Sequence, residues 1–342
     1  MMSIPWLVAQ SAHGRENLSI LAPASPPTES IRYLFILLLA ITGAIGLIVE
    51  GVLLYSAIRF RTRASHANEP PQVYGSNPIE IAWTAAPALI VFLLILVVIR
   101  IEREVRAAPE PKAGDNPLYV TVIGRQWWWE YVYESFNGSK LGFITANELH
   151  VPASASGEDG VNRPIYLTLQ SADVCHSFWV PRLAGKTDLI PGRTNQMWFR
   201  TDLPGLYVGQ CAEYCGTQHA HMLLRVYVDS LPEFESWLAN EKKPAVDSAE
   251  AGAKRGQHVF MIESCRNCHR IRGTPADGTY APDLTHLASR QTLASGTVAN
   301  TREELGRWVA DPQFAKPGCL MPAFGLSDPK VNDLVDYLMS LR

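Results

Sequence analysis

The 342-residue sequence lacks an excess of charge of either sign: 30 lysines and arginines against 33 aspartates and glutamates leave a formal charge of −3. A chain that grips nucleic acid through its phosphates carries a basic surplus, so no nucleic-acid partner is expected. Cysteine is scarce as well. Five of the six stand in or beside short Cys/His motifs and only Cys319 stands apart, which leaves no disulfide framework. The opening M-M-S-I-P-W-L-V-A has no basic flank and only a short apolar core, a poor match to a cleaved signal peptide. Charge is nearly missing from 33–58, where Glu50 is the exception, and wholly missing from 81–99; histidine is missing from both. The first absence makes these stretches membrane spans, and the second means that neither holds a metal through an imidazole inside the bilayer.

The two spans form a helical hairpin, with Pro87 early in the second, where its missing N–H is tolerated. Mean hydropathy is near zero only because they average with a polar remainder. Glu50 is costly in hydrocarbon, so it either faces protein or water or lies near the interface. Arg59, Arg61 and Arg63 follow the first span and Arg100, Arg103 and Arg106 follow the second, so charge alone does not orient the hairpin.

What is present is concentrated in C-A-E-Y-C-G-T-Q-H-A-H-M, from Cys211 to Met222. Two thiols four residues apart, then an imidazole and a thioether, make a soft ligand set that suits copper over magnesium or calcium, and the methionine argues against zinc. A single copper needs one cysteine; the second points to two sulfurs bridging two coppers. The missing ligand is best supplied by His176, in S-A-D-V-C-H-S-F-W-V-P. A structural disulfide between Cys211 and Cys215 is the competing expectation, but it leaves the histidine and methionine idle. His221 is expected to be a packing or surface residue, and Cys175 a small buried hydrophobe.

The pattern C-x-E-x-C-x-x-x-H-x-x-M, preceded by D-V-x-H-S-F-x-V-P, resembles the dinuclear copper (CuA) site in subunit II of the heme-copper cytochrome c oxidases. The resemblance implies that His176 and His219 each hold one copper, that Cys211 and Cys215 bridge both, that Met222 binds one weakly, and that the backbone carbonyl of Glu213 binds the other. It gives the Glu213 side chain to a magnesium ion shared with the catalytic subunit, although a solvated loop carboxylate is the alternative. It also matches Glu80, in P-I-E-I-A-W-T, to the entrance of a proton path in that subunit; a helix-start carboxylate favoured by the macrodipole is the other possibility.

Beyond a connector at 107–116 the runs P-L-Y-V-T-V-I-G, W-W-W-E-Y-V-Y-E, P-I-Y-L-T-L, Q-M-W-F-R-T and L-L-R-V-Y-V have β character and are separated by turn residues. They predict an all-β sandwich or barrel, which the resemblance makes a cupredoxin-type Greek-key barrel. Strand alternation puts Trp127 and Trp129 on one face and Trp128 on the other, so at least one indole is expected at the surface or an interface. The family's electron-entry position falls on Trp127; the alternative is that all three are core or contact residues. Residues 231–241 predict a short helix, and K-K-P-A-V-D-S-A-E-A-G-A a linker.

In E-S-C-R-N-C-H-R, Cys265, Cys268 and His269 form C-x-x-C-H, the covalent heme c attachment pattern, in which the histidine is the proximal iron ligand. Neither a βαβ context nor a second ligand pair is present to favour a thioredoxin-like or zinc site. Met321, in G-C-L-M-P-A-F, is the favoured second axial ligand; Met261 is too close to the attachment site, Met339 sits in an apparent C-terminal helix, and His286 is expected to pack. A-P-D-L-T-H-L and E-E-L-G-R-W-V-A resemble the cytochrome c domain fused to subunit II in the caa-type oxidases.

The expected fold is therefore multidomain: an N-terminal segment and two-helix transmembrane hairpin over 1–110, an all-β cupredoxin-type barrel over 111–241, a linker at 242–250 and an all-α cytochrome c domain over 251–342. The expected role is electron input to a terminal respiratory oxidase, from cytochrome c through heme c and CuA to catalytic subunit I, which reduces oxygen and translocates protons. The location implied is the bacterial inner membrane, with both redox domains on the periplasmic face. Alternatives are the corresponding subunit of a nitric oxide reductase and a stand-alone membrane-anchored carrier.

Overall fold

The structure is a computed structural model that describes residues 18–61, 72, 74–154, 160–246 and 248–342. The apolar start at 1–9 and Arg63 lie outside the described residues. Two long helices come first, α1 (Pro26–Arg59) and α2 (Asn77–Arg106), each long and apolar enough to cross a membrane. Both run past the apolar runs that predict them, because polar and charged residues such as Glu29 and Arg103 continue a helix as readily as leucine does. Ser76 occupies the N-cap position of α2 and Glu80 lies in its first turn; Glu50 is exposed on α1.

The second unit runs from Ala108 onward, together with the described residues up to Thr28. Its first part is built from β1 (Leu118–Arg125), β2 (Trp128–Phe136), β3 (Ser139–Ala146), β4 (Glu148–Pro152), β5 (Ile165–Ser171), β6 (His176–Trp179), β7 (Thr187–Leu189), β8 (Asn195–Phe199), β9 (Gly205–Cys211) and β10 (Leu223–Asp229). They pair as two five-stranded sheets in the orders β3-β2-β1-β5-β8 and β4-β10-β9-β6-β7, each with one parallel pair, β1 with β5 and β4 with β10. Alternate residues of β1, β5 and β10 are buried, the period-2 pattern of half-covered strands, and they meet in one core with Trp129, Tyr131, Phe178 and Phe199. Complete burial of each such side chain contributes about 1.5–3 kcal/mol. This is a cupredoxin-like sandwich, as the strand runs and the resemblance predict.

The tryptophan run departs from strict strand alternation. Gln126 and Trp127 form the turn between β1 and β2, so strand alternation begins only at Trp128. All three indoles are buried, at 9 %, 9 % and 0 % exposure for Trp127, Trp128 and Trp129. Cys175 departs from its expected burial: it is exposed, on the opposite side of the chain from buried His176 just as β6 begins.

Helix α3 (Leu231–Glu241) starts with a reciprocal capping box between Ser230 and Glu233 and packs Phe234 and Trp237 on the sandwich. After it come α4 (Ala251–Ile262), the four-residue α5 (Cys265–Cys268), a small hairpin of β11 (Thr292–Leu293) and β12 (Val298–Ala299), α6 (Arg302–Ala310) and α7 (Asp328–Ser340). Phe260, Leu305, Leu334 and Leu338 join these helices in a second core. After α3, two residues bond to the helical domain: Ala245 N–H donates to Arg272 O at 2.9 Å, and Lys243 O lies 3.1 Å from His286 Nε2.

Candidate metal and heme centres

The sandwich gathers the copper candidates at one end. Antiparallel pairing sets Phe178 beside Cys211, which brings His176, at the start of β6, toward the end of β9. Cys211 Sγ lies 3.8 Å from Cys215 Sγ, 4.0 Å from His176 Nδ1 and 3.2 Å from the Glu213 carbonyl oxygen. Cys215 Sγ in turn lies 3.6 Å from His219 Nδ1 and 3.9 Å from Met222 Sδ. All six candidates thus converge. His176, Cys211, Cys215 and Met222 are buried, whereas His219 and Glu213 are half-buried.

The two cysteines are free thiols, which removes the disulfide alternative. The sulfur contact from Cys215 outweighs burial and, with His176, holds the Cys211 thiol far below its ordinary range; the same contact pushes Cys215 up. One proton is therefore shared by the pair, and a thiolate is ready at neutral pH. Two soft sulfurs flanked by two imidazoles, a thioether and a carbonyl fit a copper pair, because a buried thiolate needs a cation to offset its desolvation.

Two neighbours of this set escape a reading of the sequence. Asp173 accepts from His176 Nε2 at 2.8 Å and thereby turns Nδ1 toward the sulfurs, and its other oxygen takes the Gln126 N–H at 2.6 Å. Its place in D-V-C-H, three residues before the ligand, is the signal. Gly124 is the second. A Cβ there would sit 2.8 Å from His176 Cδ2, so only glycine lets the imidazole approach.

The heme candidates line a single cleft of about 1400 Å³, counting its open mouth. Cys265 and Cys268 present from one turn, and His269 Nδ1 lies 2.8 Å from Pro282 O. That carbonyl accepts an N–H, which fixes the tautomer and leaves Nε2 as the free ligand atom. Burial, opposed by this bond, keeps the imidazole below its ordinary range and hence neutral. Met321 is the methionine that lines the cleft; Met261 and Met339 pack against the helical core instead. A cleft with two thiols, a neutral imidazole and a facing thioether fits a covalently held heme. His286 is buried and points to Lys243 O, as expected of a packing residue. Cys319 faces the cleft, and burial raises its thiol.

Trp127 and Trp128 also line this cleft, from the sandwich side. The Trp127 indole N–H donates to Cys215 O at 2.9 Å, and Gln126 Nε2 to the same oxygen at 2.8 Å. One side chain thus touches both the cleft and the cysteine loop.

Leucine in place of Met222 would keep the buried volume but remove the thioether. We expect folding and heme content to change little, by less than about 1.5 kcal/mol in stability, and the copper absorption and potential to shift. Spectroelectrochemistry of both centres in one sample checks this.

Three family models match the chain: cytochrome c oxidase subunit II, transmembrane domain, at residues 15–101; its periplasmic domain at 118–229; and cytochrome c at 253–342. Cytochrome c oxidase subunit 2 of Alkalihalophilus pseudofirmus is 34% identical over 334 residues, covering 96% of this chain and 92% of the relative. The proteins of the same name from Bacillus sp. (strain PS3) and Bacillus subtilis are 33% and 31% identical, over 96% and 99% of this chain and 93% and 95% of theirs. With the three family models matched in that order along it and relatives aligned over more than nine-tenths of both chains, the chain belongs to the cytochrome c oxidase subunit II family, in the form that carries a fused cytochrome c domain.

Proposed function

We infer that this subunit is the electron input of a terminal respiratory oxidase, taking electrons from a cytochrome c and delivering them to the heme-copper catalytic subunit I, which reduces oxygen to water and translocates protons. Heme c and a dinuclear CuA centre, when bound, supply the one-electron couples. The chain's own residues hold and orient them: Cys265 and Cys268 anchor the heme, His269 and Met321 flank its iron, and His176, Cys211, Glu213, Cys215, His219 and Met222 hold the copper pair. Trp127 is the side chain assigned to electron entry at the copper loop. The Glu213 side chain is assigned to an interface magnesium, and Glu80 to the mouth of a proton path in subunit I. Both helices span the bacterial inner membrane and the two redox domains face the periplasm, where heme c is attached.

The observation that carries this is the convergence of six soft or carbonyl donors around two thiols 3.8 Å apart, at the end of the sandwich nearest the heme cleft. Oxygen chemistry belongs elsewhere, because neither span contains a histidine to build a heme-copper pocket. Purifying the intact complex and offering it oxygen or nitric oxide tests the assignment. Oxygen consumption is expected, and turnover of nitric oxide alone contradicts it. In the same complex, Cys268→Ala should abolish covalent heme while leaving copper at its full stoichiometry, measured by heme staining and metal analysis.

A further inference from the structure

The loop that ends in Met321 does not stand free of the sandwich. Lys316 Nζ donates to Trp127 O at 2.7 Å, and Gln218 Nε2 donates to Pro317 O at 2.5 Å. Gln218 lies between Cys215 and His219, so this contact joins the two candidate ligand loops directly. Lys316 and Gln218 are both buried, at 4 % exposure each. Gly318, at φ +82°, brings its backbone so near Thr217 that an added Cβ would meet Thr217 Cγ2 at 3.2 Å and Cβ at 3.8 Å. Burial lowers the Lys316 ammonium to about 7. Charged or neutral, the amine keeps an N–H for the Trp127 carbonyl.

A second set of contacts closes the other side of the same seam. The buried Glu148 carboxylate accepts the N–H groups of Gln291 and Thr292 at 3.0 and 2.8 Å, and the Thr292 hydroxyl at 2.7 Å. Leu223 N–H donates to Ser295 O at 3.2 Å. A carboxylate removed from water is costly unless its oxygens are filled, so Glu148 disfavours separation of the two domains.

We propose that Lys316 and Gln218 are positioning residues that seat the Met321 loop on the Cys215–His219 segment, so that the cytochrome c domain works from a fixed seat on the sandwich and does not swing on its linker. The proposal rests on the functional assignment above for its purpose, but its geometry can be tested independently of the metals. Sites 217 and 318 have the Cβ spacing that a disulfide requires.

The experiment uses the full-length chain in detergent, loaded with copper and heme, carrying Thr217→Cys and Gly318→Cys in a Cys319→Ser background. Under mild oxidation the 217–318 bridge should form nearly to completion, read as a linked peptide by mass spectrometry, and the rate of electron redistribution between the centres should be the same with the bridge closed or reduced. Adding Lys316→Met, or separately Glu148→Ala, should slow bridge formation by about tenfold or more, the factor expected when a buried acceptor or donor set loses its partner. Absence of the bridge, closure in both added variants as fast as in the parent 217–318 pair, or a changed redistribution rate on locking would overturn the fixed seat. Copper and heme contents of the unaltered chain are measured alongside. A chain without a copper pair would undo the functional assignment, while the bridge would still report on the seat.

Discussion

Replacing Cys211 by serine is expected to abolish copper uptake while leaving a full complement of heme. Serine is close in size to cysteine, so the sandwich core should lose little, within about 1 kcal/mol. The chemistry changes far more. A hydroxyl is a hard, neutral donor at pH 7, whereas a cysteine offers a soft thiolate, and Cys211 Sγ lies within 4.0 Å of both Cys215 Sγ and His176 Nδ1. Removal of an outer-shell partner typically costs ~10–100-fold in metal affinity, and loss of a bridging thiolate should exceed that. Copper and heme per chain, measured by metal analysis and pyridine hemochrome, check the outcome. Retention of two coppers would show that Cys211 is not a bridge.

A second large effect is expected at Gly256, in the middle of α4. In a solvent-facing helix, glycine to alanine stabilises by about 0.5–1 kcal/mol. Here an added Cβ would sit 1.8 Å from Asp333 O, 2.6 Å from Asp333 C and 2.7 Å from Tyr337 Cβ. Two of those atoms are backbone of α7, so the helices must separate to make room, and separation opens the core around Phe260, Val335 and Leu338. Overpacking of this kind costs about 3 kcal/mol or more, which outweighs the propensity gain. Gly256→Ala should therefore lower the denaturant midpoint of the heme absorbance and leave the copper absorbance near its original midpoint. An unchanged or raised heme midpoint would contradict the close crossing.

The convergence of Cys211 to Met222, and the single turn from Cys265 to His269, could be expected because these candidate ligands are neighbours in sequence, at spacings that few other functions require. The two long apolar helices were legible for a similar reason, as runs of apolar residues of bilayer length. Less could be read where the answer depends on which elements meet. Trp127 sits in a turn, so strand alternation does not place it on one face with Trp129. Cys175 is exposed because β6 turns His176 inward beside it. Asp173 is a hydrogen-bond acceptor for a ligand only once β6 and the preceding loop are folded. Lys316, Gln218 and Glu148 look like ordinary polar residues until two domains close over them; no local pattern marks a buried cross-domain contact. The composition at 242–250 marks a linker, but it does not show that Ala245 N–H bonds to Arg272 O or that Lys243 O meets the His286 imidazole.

Electron paramagnetic resonance of the copper-loaded full-length chain, with its metal content determined on the same sample, tests the central claim most directly. Two coppers and one heme per chain, with a single unpaired electron spread equally over both copper nuclei in the partly oxidised state, is the predicted result. One copper per chain, or a spin confined to one nucleus, would contradict it.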